Sequence, residues 1–276
     1  MPATEPKLTL GTDYSGLSAR LLDVAKRWVL AVQTYALLAA RSVTNIFSPP
    51  HYISDLLEQM DVIGVGSLPI AVFSGVFIGA VTVLQTAAQF ARYGQTQLTG
   101  DVVAVSLVRE LGPTITGLLV AGRNASGIAS ELGSMLVTEQ VDAMRAMGTD
   151  PTRKLVTPRV LGTVLMLPLL VAIADFSGLV GGFVIASTSR HLGAVQFWTR
   201  AINALDFADI VQGMVKPIVF GFILATIGCY HGLNVRGGTQ GVGRATTQAV
   251  VTSSILILLA DFFLDKLLLF LSGHIL

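Results

Sequence analysis

The run VIGVGSLPIAVFSGVFIGAVTVLQTAAQFA, residues 62–91, contains no charged side chain. A helix needs roughly 20 mostly apolar residues to cross the hydrocarbon core of a bilayer. The run exceeds that length and contains Pro69, so a tilted, a kinked and a partly re-entrant helix are all compatible with it. It predicts one membrane-spanning helix and therefore an integral membrane fold.

The composition of the whole chain supports this prediction. Of 276 residues, 52% are hydrophobic and 13% are charged, a balance that water-soluble domains of this length rarely show. The formal net charge of +1 argues against a broad nucleic-acid surface. The single cysteine, Cys229, excludes an intrachain disulfide and a cysteine-based metal site.

Four further apolar runs follow the first, at residues 111–130, 160–189, 210–235 and 249–276. They predict an all-α membrane protein with about five spanning helices. Lysine and arginine concentrate before the first run, between the second and third, and between the fourth and fifth. Because loops rich in these residues stay in the cytoplasm, we predict a cytoplasmic N-terminus and a C-terminus on the opposite side.

The segment before the first span has the pattern of an amphipathic helix. Apolar residues at helical spacing line one side: Leu17, Leu21, Val24, Trp28, Val32, Tyr35 and Ala39. We predict a polar tail at residues 1–13, a helix lying in the cytoplasmic membrane surface at residues 14–47, and a single membrane domain at residues 48–276. The alternative for the helix is packing against the protein's own spans.

Small residues recur four positions apart within the predicted spans, at Gly75 and Gly79 and at Gly178 and Gly182. Lipid tails are as apolar as leucine, so membrane helices associate through close approach of their backbones. This spacing predicts tight helix packing, within one chain or between two, and carries no information about a substrate.

Charged residues within the predicted spans need compensating partners, because one at the centre of a span costs about 2.5 to 3.5 kcal/mol on insertion scales. They include Arg109, Glu110, Arg123, Asp175 and Lys216. For Arg109 and Glu110, a polar cavity for a charged or zwitterionic substrate and structural ion pairs both remain open. For Asp261, Asp265 and Lys266, an interhelical polar contact is favoured over catalysis.

Motifs of nucleotide binding and catalysis are missing from the sequence. There is no G-x-x-x-x-G-K-[ST] loop, and GGTQGVGRAT at residues 237–246 lacks the lysine and the preceding strand that a phosphate-binding loop requires. The four histidines lie far apart and form no H-E-x-x-H pair, which argues against zinc. We predict no catalytic residue, no metal site and no cofactor in this chain.

A polar stretch, VTEQVDAMRAMGTDP at residues 137–151, separates the second and third spans. Four apolar residues fall on one helical stripe: Val137, Val141, Met144 and Met147. Acidic residues come early and Arg145 late, as the helix dipole favours, and Gly148 and Pro151 can end the helix. We predict a cytoplasmic helix of about three turns. Docking on another protein and lying on the membrane both remain open.

Three blocks of the sequence closely resemble the MlaE or YrbE permease family, the membrane subunits of MCE-type ABC lipid transporters. The blocks are GVGSLPIAVFSGVFIGAVTVLQTAAQFARYG at residues 64–94, SLVRELGPTITGLLVAGRNASGIASELGSMLVTEQVDAMRAMGTDPTRKLVTPRVLGTVLMLPLL at residues 106–170, and GCYHGLNVRGGTQGVGRATTQAVVTSSILILLADFFL at residues 228–264. The resemblance covers most of the chain after about residue 63.

The resemblance implies a homodimeric permease of the bacterial inner membrane that moves phospholipid between this membrane and a periplasmic MCE-domain protein. A cytoplasmic ABC ATPase would drive it, so ATP and Mg²⁺ are expected on that partner. A small cytoplasmic STAS-type regulatory subunit is a further candidate partner.

The resemblance also implies roles for particular residues. The family's ATPase-coupling helix matches the segment with Glu139, Gln140, Asp142, Ala143 and Met144. Motifs associated with the lipid cavity or its gating match at Arg109, Glu110 and Arg244.

Two other classes of function remain open from the residues alone. One is a stand-alone channel or proton-coupled secondary transporter with a relay of Asp175, Lys216 and Asp261. The other is an intramembrane lipid-modifying enzyme, in which Asp261 or Asp265 would react.

Overall fold

The computed structural model describes residues 14–46, 48–50, 52–190 and 193–272. All regular secondary structure within these ranges is helical, which confirms the all-α prediction. The predicted polar tail at residues 1–13 and the last four residues of the predicted fifth span lie outside the described residues.

The described chain forms ten α-helices. They are α1 (Tyr14–Ile46), α2 (Ile53–Ala91), α3 (Thr99–Ser106), α4 (Gly112–Val120), α5 (Ser126–Val137), α6 (Gln140–Ala146), α7 (Thr157–Arg190), α8 (Ala194–Asn203), α9 (Phe207–Leu233) and α10 (Gly238–Ser272). A short 3₁₀ turn, Thr96–Leu98, precedes α3.

Three π-helical turns lie between or before these helices: Leu107–Leu111 between α3 and α4, Ala121–Ala125 between α4 and α5, and Thr152–Val156 before α7. Each turn contains an arginine, at Arg109, Arg123 and Arg153. Such turns are rare and occur frequently at functional sites. The apolar periodicity of the sequence did not predict them.

Four helical segments are long and apolar enough to cross a membrane: Ile53–Ala91, Thr96–Val137, Thr152–Thr188 and Phe207–Leu233. They overlap the first four predicted spans, so the chain is a multi-pass membrane protein. The helix α10 runs for 35 residues through most of the predicted fifth span. That α10 also crosses the membrane stays a prediction.

The helices α2 and α7 pack closely along their length. A Cβ atom on Gly79 would overlap the backbone carbonyl of Gly178, and one on Gly75 would overlap the carbonyl oxygen of Ala174. From the other side, a Cβ on Gly182 would come within 3.2 Å of the Gly79 carbonyl oxygen. Glycine at these positions therefore permits backbone contact between the two spans.

The main buried cluster draws residues from α4, α5, α7, α9 and α10. Among its members are Val120, Leu132, Leu167, Phe220 and Ile257. Val141, on the short helix α6, belongs to the same cluster. The loop helix between the second and third spans is therefore anchored to the core of the membrane bundle.

The helix α1 packs against the bundle along one side. The Tyr35 and Thr226 hydroxyl oxygens are 2.9 Å apart, and the Tyr35 ring meets the Tyr230 ring edge to face. Ser42 is buried, whereas Val32, which we predicted to share a face with Tyr35, is exposed. These contacts favour packing against the spans for residues 35–46. The side chains of Leu17, Leu21, Val24 and Trp28 lie outside the described residues, and the interfacial position stays a prediction.

Candidate functional site

Charged residues from two spanning segments and α10 meet around Lys216. Its Nζ lies 2.7 Å from Oε2 of Glu110 and 3.1 Å from Oδ1 of Asp261, and it also contacts Oδ1 of Asp265. The Lys216 side chain is fully buried. We call these four residues the Lys216 cluster.

The helices set the geometry of the Lys216 cluster. Asp261 and Asp265 are four residues apart on α10, so both project from the same face towards α9. Asp261 also accepts a hydrogen bond from Thr114 Oγ1 at 3.1 Å, and Asp265 accepts one from Gln212 Nε2 at 3.4 Å. The predicted interhelical contact of Asp261 and Asp265 is thus present, with Lys216 as its partner.

The Lys216 cluster places one ammonium among three carboxylates at membrane depth. Removing Lys216 would leave the three carboxylates without their cation, which is strongly destabilising. The three carboxylates lie within 4.8 Å of one another, close enough to share a metal ion. The Lys216 ammonium contacts all three and already supplies the positive charge between them.

Arg109 lies beside the Lys216 cluster and contacts α9 through Asp209, with Nη1 3.5 Å from Oδ1. Asp209 also accepts a hydrogen bond from the backbone N–H of Asp206, within the capping box that begins α9. Arg109 and Glu110 therefore both form ion pairs between spans. The Glu110 side chain nevertheless remains 44% exposed, so an accessible polar surface persists on this side.

Arg244 lies in a different part of the molecule. It is exposed on the second turn of α10, in an open depression of about 550 Å³ with Gln240, Thr247 and Gln248. Seventeen residues separate it from Asp261, or about 25 Å along a helix. Within one chain, the structure does not bring Arg244 together with Arg109 and Glu110.

Asp175, on α7, is only 9% exposed, and its carboxylate fills the space over Gly112 where a Cβ would otherwise lie. Its Oδ1 has no hydrogen-bond partner among the described residues. The predicted relay of Asp175, Lys216 and Asp261 is therefore incomplete. Lys216 contacts Asp261, but no described ion pair or hydrogen bond joins Asp175 to either residue.

The segment between the second and third spans differs from its predicted form. Val137 ends α5, and Glu139 has a left-handed backbone with φ of 59°, so α6 begins only at Gln140 and has seven residues. The predicted short helix is therefore present, but it has about two turns and not three. A side chain at positive φ is uncommon and marks a change of direction in the chain. We call residues 138–150 the α6 segment.

The α6 segment has one buried contact and a largely exposed surface. Val141 is fully buried, whereas Met147, predicted on the same stripe, is 74% exposed. The stripe is broken because Met147 lies beyond the end of α6. Gly148 has a φ of 77°, the left-handed conformation expected at this position.

The residues matched to the coupling helix lie on this surface. Glu139, Gln140, Asp142 and Ala143 are exposed, and Met144 is half-buried. Arg145 Nη1 donates to Asp142 Oδ1 at 2.9 Å within the helix. Among the described residues, neither Asp142 nor Arg145 forms an ion pair with another helix. This surface is therefore free to contact another protein.

Sequence patterns missed the partners of two arginines in the spanning segments. Arg159 Nη2 donates to Oε1 of Glu131 at 2.6 Å, joining α7 to α5. Arg123 contacts α2 through Ser67. An acid and a base flanking consecutive spans could have suggested the first pair, but no sequence signal indicated the second.

The comparisons with known proteins agree on one family. The family model described as Permease MlaE matches residues 56–267. A probable ABC transporter permease protein of Rickettsia typhi is 40% identical over 242 residues, covering 88% of this chain and 93% of the relative.

Two further relatives have more specific names. The Haemophilus influenzae intermembrane phospholipid transport system permease protein MlaE is 34% identical over 214 residues, covering 77% of this chain and 82% of that protein. The chloroplastic protein TRIGALACTOSYLDIACYLGLYCEROL 1 of Arabidopsis thaliana is 36% identical over 230 residues, or 83% of this chain and 66% of that protein. With the family model matched over most of its length, this chain belongs to the MlaE permease family.

Proposed function

We propose that this chain is the permease subunit of an ABC-type transporter that moves phospholipid between the bacterial inner membrane and a periplasmic MCE-domain protein. A separate cytoplasmic ATPase supplies the energy. The name of the Haemophilus influenzae relative, an intermembrane phospholipid transport permease, supports lipid as the cargo. The permease works as a homodimer, and a small STAS-type subunit on the cytoplasmic side regulates the complex.

The observation that carries this proposal is the form of the α6 segment. Its outer face presents Glu139, Gln140 and Asp142 without interhelical partners, while Val141 on its inner face is buried in the main cluster of the bundle. A protein that pushes on this face would therefore displace packed residues of the spans. The sequence holds no nucleotide-binding loop, so the driving protein is a second subunit.

The proposed topology places the α6 segment in the cytoplasm. Basic residues lie in α6 and between α6 and the predicted third span, at Arg145, Arg153, Lys154 and Arg159, as expected for a cytoplasmic loop. With α10 as a fifth crossing, the N-terminus is cytoplasmic and the C-terminus periplasmic.

The charged residues of the bundle have a second role in this proposal. Arg109 and Glu110 lie on the accessible side of the Lys216 cluster and meet the lipid headgroup, whereas Arg244 acts at the opposite end of α10 in gating. ATP binding by the partner favours one arrangement of the spans over another, which is alternating access driven by a ligand of another subunit.

Co-purification tests the proposal. The double variant Glu139→Lys and Asp142→Lys reverses two exposed charges of the α6 segment and should abolish association with the ATPase from native membranes. The matched control is Glu58→Lys with Asp61→Lys, two exposed acids at the start of α2 on the same proposed side. Association that survives the first double variant as well as the control would remove the coupling role.

A further inference from the structure

Arg123 is held against α2 by neutral groups. Its Nη1 donates to the carbonyl oxygen of Val62 at 3.3 Å, to Oγ of Ser67 at 2.8 Å and to Oδ1 of Asn124 at 3.5 Å. The guanidinium lies on the backbone of Gly66, where a Cβ atom would overlap its two terminal nitrogens. The π-helical turn and α2 together fix the position of this cation.

The charge of Arg123 has no carboxylate partner. Within residues 14–46, 48–50, 52–190 and 193–272, no Asp or Glu oxygen lies within 4.0 Å of its nitrogens. Arg109 and Arg159, at other points of the same bundle, each contact a carboxylate. A cation in a membrane span without an acidic partner favours an anion from outside the chain.

The remaining donors of Arg123 are arranged so that they can donate hydrogen bonds to two oxygen atoms of one ligand. Its Nε and Nη2 donate to no described acceptor. Neither nitrogen is fully enclosed by the described residues, so both are accessible from outside the chain. This edge of a guanidinium forms the planar fork that binds phosphate or carboxylate through two parallel hydrogen bonds. Beside it, the Asn124 side chain is only 6% exposed, yet its Nδ2 also has no acceptor.

The contacts of Arg123 with α2 lie at the start of the apolar run of that helix. The Arg123 partner Val62 is the first residue of the charge-free run on α2, directly after Asp61. Val62 and Val65 are both exposed on α2, within four residues of Gly66, on which the guanidinium lies. A cation close in sequence and space to exposed apolar residues suits a molecule with a phosphate and an acyl chain.

We propose that Arg123 binds the phosphate of a glycerophospholipid at the cytoplasmic edge of the membrane, with the acyl chain along Val62 and Val65. The site is separate from Arg109 and Glu110. It rests on the proposed function for the side of the membrane and for the lipid cargo. Inorganic phosphate presents the same oxygens, but it has no acyl chain that could contact Val62 and Val65.

The experiment measures lipid binding to the purified full-length chain in detergent micelles. The probes are dioleoylphosphatidylcholine, dioleoylglycerol, which has the same chains without the phosphate, and inorganic phosphate. A phosphatidylcholine with a photoreactive headgroup locates the contact by peptide mass spectrometry. Wild type should crosslink at residues 62–67 or 121–126, and should bind phosphatidylcholine more tightly than dioleoylglycerol.

Arg123→Gln should weaken phosphatidylcholine binding about tenfold and remove these crosslinks, since it deletes a charge-assisted hydrogen-bond pair. Arg123→Lys keeps the charge without the fork and should fall between the two. Gly66→Ala displaces the guanidinium while retaining it, and should weaken binding even if Arg123→Gln fails to fold. Arg200→Gln, at an arginine that pairs with Asp101 on α3, is the matched control and should bind as wild type.

Three results would overturn the site. They are unchanged crosslinks in both Arg123→Gln and Gly66→Ala, equal binding of phosphatidylcholine and dioleoylglycerol by wild type, and competition by inorganic phosphate at the concentration of the lipid. Each leaves the permease proposal intact, because ATPase association is measured separately. Conversely, ATPase association that survives Glu139→Lys with Asp142→Lys would contradict the proposed function but leave the phosphate site in place.

Discussion

The Lys216 cluster and the α6 segment treat charge in opposite ways. In the cluster, a fully buried ammonium contacts three carboxylates from two other helical segments. In the α6 segment, the acids at Glu139 and Asp142 remain exposed, and the one described ion pair is local, between Asp142 and Arg145.

This difference indicates that the two groups of charges have different roles, one in packing and one in association. Charges enclosed between spans fix how the spans pack, because any change that separates them exposes an uncompensated charge to the membrane. Charges left in water add little to the stability of the chain and remain available for a partner. Substitutions in the cluster should therefore change stability, and substitutions in the α6 segment should change association and coupling.

The largest expected effect follows from Lys216→Met. This variant keeps most of the side-chain volume but leaves Glu110, Asp261 and Asp265 without their cation, which should cost about 3 to 5 kcal/mol. The folded yield and the thermal unfolding midpoint in detergent measure the loss.

A compensated variant serves as the control for Lys216→Met. Adding Glu110→Gln, Asp261→Asn and Asp265→Asn removes the stranded negative charges and should restore much of the stability. A Lys216→Met protein as stable as wild type would show that the cluster does not hold the spans together.

An intermediate effect is expected for Val141→Ala. The substitution removes two buried methyl groups, worth about 1 to 2 kcal/mol, and loosens the anchor of α6 without changing its exposed face. ATPase association should persist while transport per ATP hydrolysed falls. Met147→Ala is the matched control, because Met147 is exposed in the same segment. Equal coupling in both variants would argue against transmission through Val141.

The smallest effect is expected for Arg145→Gln. Among the described residues, Arg145 pairs only with Asp142, three positions earlier on the same helix, and such pairs contribute about 0.2 to 0.5 kcal/mol. The thermal midpoint should move by about a degree or less. A shift as large as that of Val141→Ala would mean that the α6 segment is not as independent as its contacts indicate.

Much of the fold could be predicted because a bilayer imposes a length and a composition on each span. Residues 62–91 indicated α2 directly, and the spacing of Gly75 and Gly79 matches the side on which α2 meets α7. The helix α8 was not anticipated, because ten residues with polar and apolar side chains carry no comparable constraint. The π-helical turns were also missed, since they change the backbone without changing the apolar pattern.

The candidate site was predicted only in part. The sequence identified Glu110, Lys216 and Asp261 as charges that need partners, but the pairing depends on how the spans are rotated against each other. The grouping of Arg109 with Arg244 came from the resemblance of their motifs to those of the family. In the structure, Arg109 lies beside the Lys216 cluster, and Arg244 lies far from this cluster along α10. Glu139 could not be placed outside the helix, because a left-handed glutamate has no local sequence signature.

In the proposed function, the α6 segment lies in the cytoplasm and receives the motion of an ATPase. An Ala143→Cys variant tests it directly, in a Cys229→Ala background that removes the single native thiol. Ala143 is exposed on α6, so the new thiol is open to reagents. Vesicles of both orientations are treated with a membrane-impermeant maleimide, and a thiol crosslinker is added with and without nucleotide.

The thiol should be labelled only from the cytoplasmic side, and it should crosslink to an ABC ATPase with a yield that changes when ATP is bound. Labelling from the periplasmic side, or a freely labelled thiol that crosslinks to no ATPase in native membranes, would contradict it.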